Sequence, residues 1–420
     1  QTPRKFMSKL RLGIIGTGGR GVGSFGQAFT TTFADRVDIV GLADTNTIRA
    51  GNAAKFLGIS PEIHDNAGDL ASRSDVEAIV VTSPDCFHEE HALLALQNNK
   101  HVFIDKPLAT TVDGCLNVIE ASRRAGTVLY MGFNLRHQVV VRRLRDMARE
   151  GLFGDLFQLQ AIEHYNGGRT YHSRWNRLKE FTGGLFIHKG SHDFDVLNYI
   201  MGDVRPARVS CFGSVSTLKP EGLPFEPDPG IEPGPNCTVC PYNTRCRDAY
   251  AVNASPGSIS DCLFNEETAQ IDGYYKNLCM YMSEKDTHDQ GVAIIEYDNG
   301  ATATHTECFV TPISNRQYFL EGTKGHGEGD LHANQITFEP RWSKEKIDYQ
   351  LDPGTGSHGG ADPVMQQNFL DCIAAGDRPT ANAIDGTWSV AVAVAAELSR
   401  AERRMVEISE LMDPGSDLLK

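Results

Sequence analysis

Lys106 and two later histidines, His188 and His192, are the residues whose types suit proton transfer. Lys106 closely follows a strand-like run at residues 101–104, and Pro107 fixes the backbone after it. A lysine ammonium can hydrogen-bond a substrate hydroxyl, stabilise the alkoxide that forms as a hydride departs, and pass the proton on. This position predicts a catalytic lysine, with a surface lysine in a turn as the plainer interpretation.

The two histidines lie in the sequence GGLFIHKGSHDFDVLNYIMG, residues 183–202. If residues 187–201 are helical, His188, His192 and Asp195 stand at i, i+4 and i+7 on one face. Such a set could bind a metal, relay a proton, or pack in the core as structural residues. A relay requires Lys106 and His192 to converge on one substrate carbon.

Chemistry of this kind needs a hydride acceptor. The segment LRLGIIGTGGRG, residues 10–21, is an apolar strand followed by glycines in the G-x-G-x-x-G spacing. The first glycine permits a tight turn, the second lets the backbone approach a pyrophosphate, and the third allows close helix packing, so that the phosphates meet the helix N-terminus. The turn predicts a set of cofactor-binding residues: Gly16, Gly18, Gly19, Arg20 and Gly21.

Asp44 ends a second apolar strand that begins at residue 37, where an acid can hydrogen-bond the 2′-hydroxyl of an adenosine ribose. Because an acid also repels a 2′-phosphate, the sequence favours NAD over NADP. Arg49 follows nearby and is expected to be a solvated surface charge in the next helix.

The strand at residues 76–81 is expected to lie beside the first strand, as in the usual doubly wound order. Ser83 and Pro84, at its end, are therefore predicted to border the nicotinamide half of the cofactor. His88 begins the following helix and either faces the cofactor or is a satisfied structural residue.

Composition limits the classes of function. The 420 residues predict two domains, and 40% hydrophobic residues suffice for packed cores. A net charge of −14 without a basic block argues against nucleic acid or an anionic membrane as partner. The beginning, QTPRKFMSKL, has no hydrophobic signal core. Met7 is therefore interpreted as the natural start and the protein as cytoplasmic, or as periplasmic if a signal peptide has been removed.

The expected fold class is α/β, with a doubly wound Rossmann sheet in residues 1–132 and an α+β domain in residues 133–420. In the second domain, alternating apolar residues around Asn299 and Gly300 predict a hairpin and a mostly antiparallel, open sheet. A polar, aromatic loop after a strand at residues 156–164 contributes candidates for substrate binding, to which Asp195 is added: His164, Tyr165, Arg169 and Trp175.

A proline- and glycine-rich insertion at residues 220–262 contains Cys237, Cys240, Cys246 and Cys262. The first two have the C-x2-C spacing that places two thiolates on one tetrahedral metal, so the four are candidate ligands of a structural zinc. The spacing of the other two departs from common zinc sites, and disulfides or free thiols stay open as alternatives.

Taken together, GTGGRG, the acid after the second strand, TSPDCFHEEHALLAL and DKP resemble the Gfo/Idh/MocA family of NAD(P)-dependent sugar and polyol oxidoreductases. The resemblance implies an NAD cofactor, a carbohydrate substrate, and a homodimer or homotetramer joined through the open face of the second sheet. It also implies that Lys106 and His192 are catalytic and that Asp195 is the family's later acid.

Two positions depart from the family pattern. Asp105 stands where a glutamate is usual, and His188 occupies the place of the usual aspartate. A neutral His188 cannot supply the negative charge that would raise the pKa of His192, so the proton relay is expected to be tuned differently.

Three functions follow as hypotheses. The first is an NAD-dependent sugar or polyol dehydrogenase with Lys106, His192 and His188 as its proton-handling residues. The second, also implied by the resemblance, is a glycoside hydrolase that uses NAD for transient sugar oxidation and elimination. The third is an NAD-binding regulator without catalysis.

Overall fold

The structure is a computed structural model and describes residues 9–250 and 255–420; Met7, the expected start, lies outside them. The N-terminal sheet is built from β1 (Leu10–Ile15), β2 (Val37–Ala43), β3 (Glu62–His64), β4 (Ala78–Val81), β5 (His101–Asp105) and β6 (Leu129–Gly132). These six strands are parallel and lie in the order β3-β2-β1-β4-β5-β6. The strand order reverses between β1 and β4, which creates the crevice where ligands bind in such folds. The predicted Rossmann sheet is confirmed.

The strands of this sheet are buried on both faces, as expected for a parallel sheet between two helix layers. In β4, Ile79 and Val81 join one hydrophobic cluster while Ala78 and Val80 join another on the opposite side. The connecting helices are α1 (Gln27–Thr30), α2 (Thr47–Leu57), α3 (Ala67–Ser72), α4 (His88–Gln97) and α5 (Val112–Ala125), with a π-helical stretch, Gly19–Gly26, leading into α1.

The second sheet is large and mostly antiparallel, as predicted. Its strands are β7 (Leu156–His164), β8 (Pro206–Ser214), β9 (Gln290–Tyr297), β10 (Thr302–Cys308), β11 (Asn315–Gly322), β12 (Gly325–Asp330), β13 (Gln335–Pro340), β14 (Ile347–Gln350) and β15 (Val406–Glu407). The nine strands lie in the order β14-β13-β12-β11-β7-β10-β9-β8-β15. Adjacent strands pair antiparallel except β7 with β10, and β9 and β10 form the predicted hairpin around Asn299 and Gly300.

Helices cover one face of this sheet and leave much of the other open. In β9, Ala293 and Ile295 are buried, whereas Val292 and Ile294 on the opposite face are exposed. The remaining helices are α6 (Val139–Arg149), α7 (Gly168–Tyr171), α8 (Lys179–Thr182), α9 (Ser191–Met201), α10 (Ile259–Leu263), α11 (Glu266–Asp272), α12 (Ala361–Ala375) and α13 (Ala383–Glu402).

Two segments of the second half of the chain return to the first domain. Phe369 of α12 packs against Phe103 of β5 and Tyr130 of β6, with ring centroids 5.5 and 5.9 Å apart. The chain between β8 and β9, residues 215–289, contains α10 and α11, which contact α2. Across the described residues, no helix combines the length and apolar character needed to cross a membrane.

Candidate functional site

The glycine turn after β1 has the packing that a dinucleotide requires. A Cβ on Gly16, whose φ is +92°, would lie 2.6 Å from the backbone nitrogen of Ser83, and one on Gly21 would lie 2.1 Å from the carbonyl oxygen of Gly16. Gly18 and Gly19, in contrast, face open space. The first and third glycines thus let the turn pack against the end of β4, and the second leaves room for a pyrophosphate at the helix N-terminus. The residues present fit the cofactor.

Asp44 is held in place at the end of β2. Its Oδ2 accepts hydrogen bonds from the Thr17 backbone nitrogen at 2.9 Å and from the Thr17 hydroxyl at 2.7 Å, and its Oδ1 accepts one from the Asn46 backbone nitrogen at 2.9 Å. Arg49 is not the solvated charge expected from the sequence. It is 8% exposed, and its Nη1 lies 3.5 Å from Asp44 Oδ1, because the chain between β8 and β9 covers this end of α2.

The Arg20 side chain is held by two carboxylates, and its role in cofactor binding stays a prediction. Its Nε donates to Asp105 at 3.0 Å and its Nη1 donates to Asp362 at 2.9 Å. The guanidinium therefore ties the glycine turn to the acid of the DKP sequence and to the start of α12.

The ring of His88 is likewise held in place. Its Nδ1 contacts the carbonyl oxygen of Pro107 at 2.6 Å, and its Nε2 contacts that of Ser83 at 2.9 Å. Both ring nitrogens are used by backbone groups, which favours the structural role over cofactor binding; the latter stays a prediction. The ring instead joins the turn after β4, which carries Ser83 and Pro84, to the turn that carries Lys106.

Lys106 reaches from the end of β5 to the second domain, where its Nζ donates to the carbonyl oxygen of His188. Burial lowers the pKa of Lys106, and the carboxylate of Asp85 opposes this effect. His192 lies close enough that the charge of Lys106, after burial, helps to hold the pKa of His192 well below its usual value. A neutral imidazole near a lysine is an arrangement that can exchange a proton with a substrate hydroxyl.

His188 is fixed on both sides of its ring. Nδ1 donates to Asp85 Oδ2 at 2.7 Å, and Nε2 accepts from Asn176 Nδ2 at 2.9 Å. Burial lowers the pKa of His188, so the ring is neutral with its proton on Nδ1. Asp85, which is 3% exposed and accepts the hydrogen bond from Nδ1, therefore supplies the negative charge that the neutral His188 lacks. Sequence reasoning missed Asp85 and Asn176, although Asp85 directly follows Ser83 and Pro84 at the end of β4.

The helix predicted at residues 187–201 is divided. Phe186–Gly190 forms a π-helical turn, and α9 begins only at Ser191. Asp195 does not share a polar stripe with the histidines, since it is 1% exposed and accepts two hydrogen bonds from Arg136, at 2.9 and 2.6 Å. Its predicted contact with substrate is therefore replaced by a buried ion pair that holds α9 in place.

Of the four loop candidates for substrate binding, Trp175 lies beside His188 and Tyr165 beside Lys189. The Trp175 ring is 5.3 Å from the His188 ring, and Tyr165 receives the Lys189 ammonium at 4.7 Å from its ring centre. Arg169 points toward Asp248, at 3.9 Å, and away from the crevice. Strand alternation places His164 on the sheet face opposite to its neighbour in β7, the buried Glu163 that pairs with Lys189.

The four predicted zinc ligands are not brought together. Cys237, Cys240 and Cys246 line a small cavity with Cys279, whereas Cys262 lies in α10 and packs against the core of the first domain. Within residues 9–250 and 255–420, no three His, Cys, Asp or Glu side chains are arranged to hold a metal ion. The four cysteines therefore do not form the predicted zinc site, because Cys262 lies in α10 and not at the cavity.

Comparison with known proteins assigns both domains. Residues 10–133 match the NAD-binding Rossmann fold of an oxidoreductase family, and residues 145–408 match the C-terminal alpha/beta domain of the same family. The chain belongs to the Gfo/Idh/MocA oxidoreductase family. The resemblance drawn from the sequence motifs is confirmed.

This chain is similar to several known proteins, among them two relatives in sequence and one solved structure. The YteT protein of Bacillus subtilis is 27% identical over 425 residues, which cover 95% of this chain and 97% of YteT. The 2,7-anhydro-N-acetylneuraminate hydratase of Escherichia coli is 29% identical over 361 residues, 82% of this chain and 84% of the hydratase. A levoglucosan dehydrogenase solved with NADH and levoglucosan has the same fold, with a TM-score of 0.73 and 16% identity over 96% of this chain and 100% of that one.

Asp85→Asn tests the link between Asp85 and the proton chemistry. Because the Asp85 carboxylate raises the pKa of Lys106, its loss should lower that pKa and move the basic limb of the kcat/KM profile, which reports the required ammonium, to lower pH. We also expect kcat to fall about tenfold or more, since His188 loses its ionic partner. The profile is measured with any sugar that the wild type converts.

Asp113→Asn, which removes an exposed acid in the first turn of α5, serves as the control. A pH profile of Asp85→Asn that coincides with those of the control and the wild type would contradict the assigned role of Asp85.

Proposed function

We propose that the protein is an NAD-dependent dehydrogenase that oxidises or reduces a secondary alcohol of a sugar, polyol or sugar derivative. The observation that carries this proposal is the contact of Lys106, at the end of β5, with the helical segment that bears His188 and His192. This contact supports a site at the carboxyl edge of the nucleotide-binding sheet to which each domain would contribute a proton-handling group. Bound NAD would supply the hydride acceptor and donor at this edge.

The chain's own residues then handle the hydroxyl proton. Lys106 donates a hydrogen bond to the substrate oxygen, and its ammonium stabilises the negative charge that develops there. His192 is neutral and accepts the hydroxyl proton during oxidation, or returns it during reduction. His188 does not touch the proton. It positions the ammonium of Lys106 through its carbonyl oxygen, while Asp85 and Asn176 hold its ring.

A carbohydrate substrate is supported by the side chains around His188 and by the relatives. Trp175 offers an aromatic ring beside the polar His188, an arrangement that suits a sugar ring with an apolar face and hydroxyl edges. The names of the hydratase and of the levoglucosan dehydrogenase both describe anhydro sugars or their derivatives. We therefore propose a panel of sugars, anhydro sugars and polyols as the first substrates to assay.

Lys106→Ala is expected to abolish turnover while NADH still binds, because the glycine turn and Asp44 do not involve the lysine. NADH production is followed by absorbance across the panel, and NADH binding by fluorescence. Lys344→Ala, at an exposed position, is the matched control. Unchanged kcat in Lys106→Ala would remove the lysine from the mechanism.

A second candidate function is redox-neutral cleavage of a glycoside, in which the sugar is oxidised only transiently. The similarity to a hydratase favours it, since that name describes a reaction without net oxidation. Aryl-glycoside cleavage without accumulation of NADH would establish this function, whereas stoichiometric NADH would establish the dehydrogenase. NAD binding with neither product across the panel would instead support the non-catalytic regulator.

We also propose that the protein forms a homodimer or homotetramer through the open face of the second sheet. Phe212 of β8 is 77% exposed and lies next to Val292 of β9, and Ile294, two residues on, is 47% exposed. Contiguous exposed apolar side chains of this kind mark association surfaces.

Phe212→Asp should convert the oligomer to monomer, because it places an unpaired charge in the apolar contact. Light scattering coupled to gel filtration measures the mass. Trp342→Asp changes an equally exposed aromatic residue, 78% exposed in the turn after β13, and should leave the mass unchanged. A monomeric wild type, or a Phe212→Asp variant of wild-type mass, would contradict the proposal.

A further inference from the structure

The chain between β8 and β9 closes over the adenosine end of the nucleotide crevice. Asn46, the residue before α2, is fully buried and donates through Nδ2 to the carbonyl oxygen of Thr268 at 2.8 Å and to Asp272 at 3.0 Å. Ile259 of α10 lies against Gly23. A Cβ on Gly23 would be only 2.7 Å from Cδ1 of Ile259. Residues outside the Rossmann domain therefore help to form the wall beside Asp44.

Arg49 is the centre of this contact. Its Nη2 lies 2.5 Å from Asp272 Oδ2, its Nε donates to the carbonyl oxygen of Leu263 at 3.2 Å, and its Nη1 is 3.5 Å from Asp44 Oδ1. The rings of Phe264 and Tyr274 stack near the guanidinium, with centroids 5.8 and 5.9 Å from its carbon. Each of the three guanidinium nitrogens is thus directed at an oxygen of the protein.

An arginine at this position could instead bind a phosphate group of the cofactor. The ribose 2′-oxygen of a bound dinucleotide meets the acid that ends the second strand, and an arginine nearby can accommodate a 2′-phosphate. Arg49 lies beside Asp44 and would be that arginine if its N–H groups were free. Asp272 and the Leu263 carbonyl oxygen occupy two of its three nitrogens, and the two carboxylates around it leave a net negative charge.

We propose that Asp272 of α11 determines the preference for NAD over NADP by holding Arg49. Asp272 belongs to the segment between β8 and β9. This inference rests on the proposed NAD binding and adds the reason why the second phosphate is rejected. Asp272 acts on the nucleotide only through Arg49, so it is a positioning residue. The preference is therefore set by the second domain as well as by Asp44.

The decisive measurement is the ratio of the dissociation constants of NADPH and NADH for the full-length protein, obtained by fluorescence titration without substrate. Asp272→Asn keeps the size of the side chain and removes its charge. We expect the ratio to fall about tenfold or more, because Arg49 becomes available to a phosphate and one nearby repulsive charge is lost. NADH affinity should change much less, since Asp44 and the glycine turn are unaltered.

Three further variants separate this role from simple support of α2. Glu267→Gln removes an exposed charge from the same helix and should leave the ratio unchanged. Asp272→Glu keeps the charge and should restore the wild-type ratio. Arg49→Gln should raise the ratio. The double variant Asp272→Asn with Arg49→Gln should not show the lowered ratio of Asp272→Asn. Because Arg49→Gln moves the ratio in the opposite direction, it tests the proposal even if Asp272→Asn folds poorly.

The outcomes distinguish this proposal from the proposed function. A wild type that binds NADH, with a ratio that Asp272→Asn and Arg49→Gln both leave unchanged, overturns the role of Asp272 and leaves the dehydrogenase intact. Equal losses of NADH and NADPH affinity in Asp272→Asn overturn it as well, since they show only structural support. A wild type that binds neither nucleotide overturns both.

Discussion

The partly buried ammonium of Lys106 is the group on which the arrangement of the site depends. A charge removed from water is costly unless a polar partner compensates it, and the partners of Lys106 come from two places. The His188 carbonyl oxygen accepts its hydrogen bond from the second domain, and the Asp85 carboxylate stabilises its charge from the first. The same interactions therefore position the lysine and join the two domains. A displacement of either domain would leave the ammonium buried without its acceptor.

Arg20 makes a second connection of the same kind, and it accounts for Asp105. The guanidinium bridges Asp105 and Asp362, so the glycine turn, the end of β5 and the start of α12 meet at one cation. His358 adds to this group through Nδ1, 2.8 Å from Asp362. The acid before the lysine thus has a structural partner of its own, and its shorter side chain is matched by an arginine that reaches it from the nucleotide turn.

The sequence predicted the fold well because periodicity and glycine spacing are local properties. The parallel sheet, the hairpin at Asn299 and the nucleotide turn all follow from residues within a few positions of each other. The partners of Arg20 and Arg49 could not be predicted in the same way. Both arginines find their acids across large separations, Asp362 and Asp272, and a sequence does not show which charges fold together.

The histidines illustrate the same limit within a single helix. The i, i+4 spacing of His188 and His192 predicted a shared polar face, but a π-helical turn precedes α9 and changes the angle between them. The role of Asp85 was also hidden, because its partner His188 lies in another domain. Local rules indicated candidate residues along the chain, whereas their pairing is a property of the tertiary structure.

His192 owes its fixed position to the residues on either side of it. Lys189, three residues before, pairs with Glu163 at 3.1 Å, and Asp193, directly after, pairs with Arg316 at 3.0 Å, while Arg316 also contacts Glu163. The four form a buried group of two cations and two carboxylates whose charges cancel. Removing one member would leave an uncompensated buried charge beside His192. The group therefore both anchors α9 to the sheet and sets the electrostatic surroundings of the imidazole, so stability and the pKa of His192 depend on shared side chains.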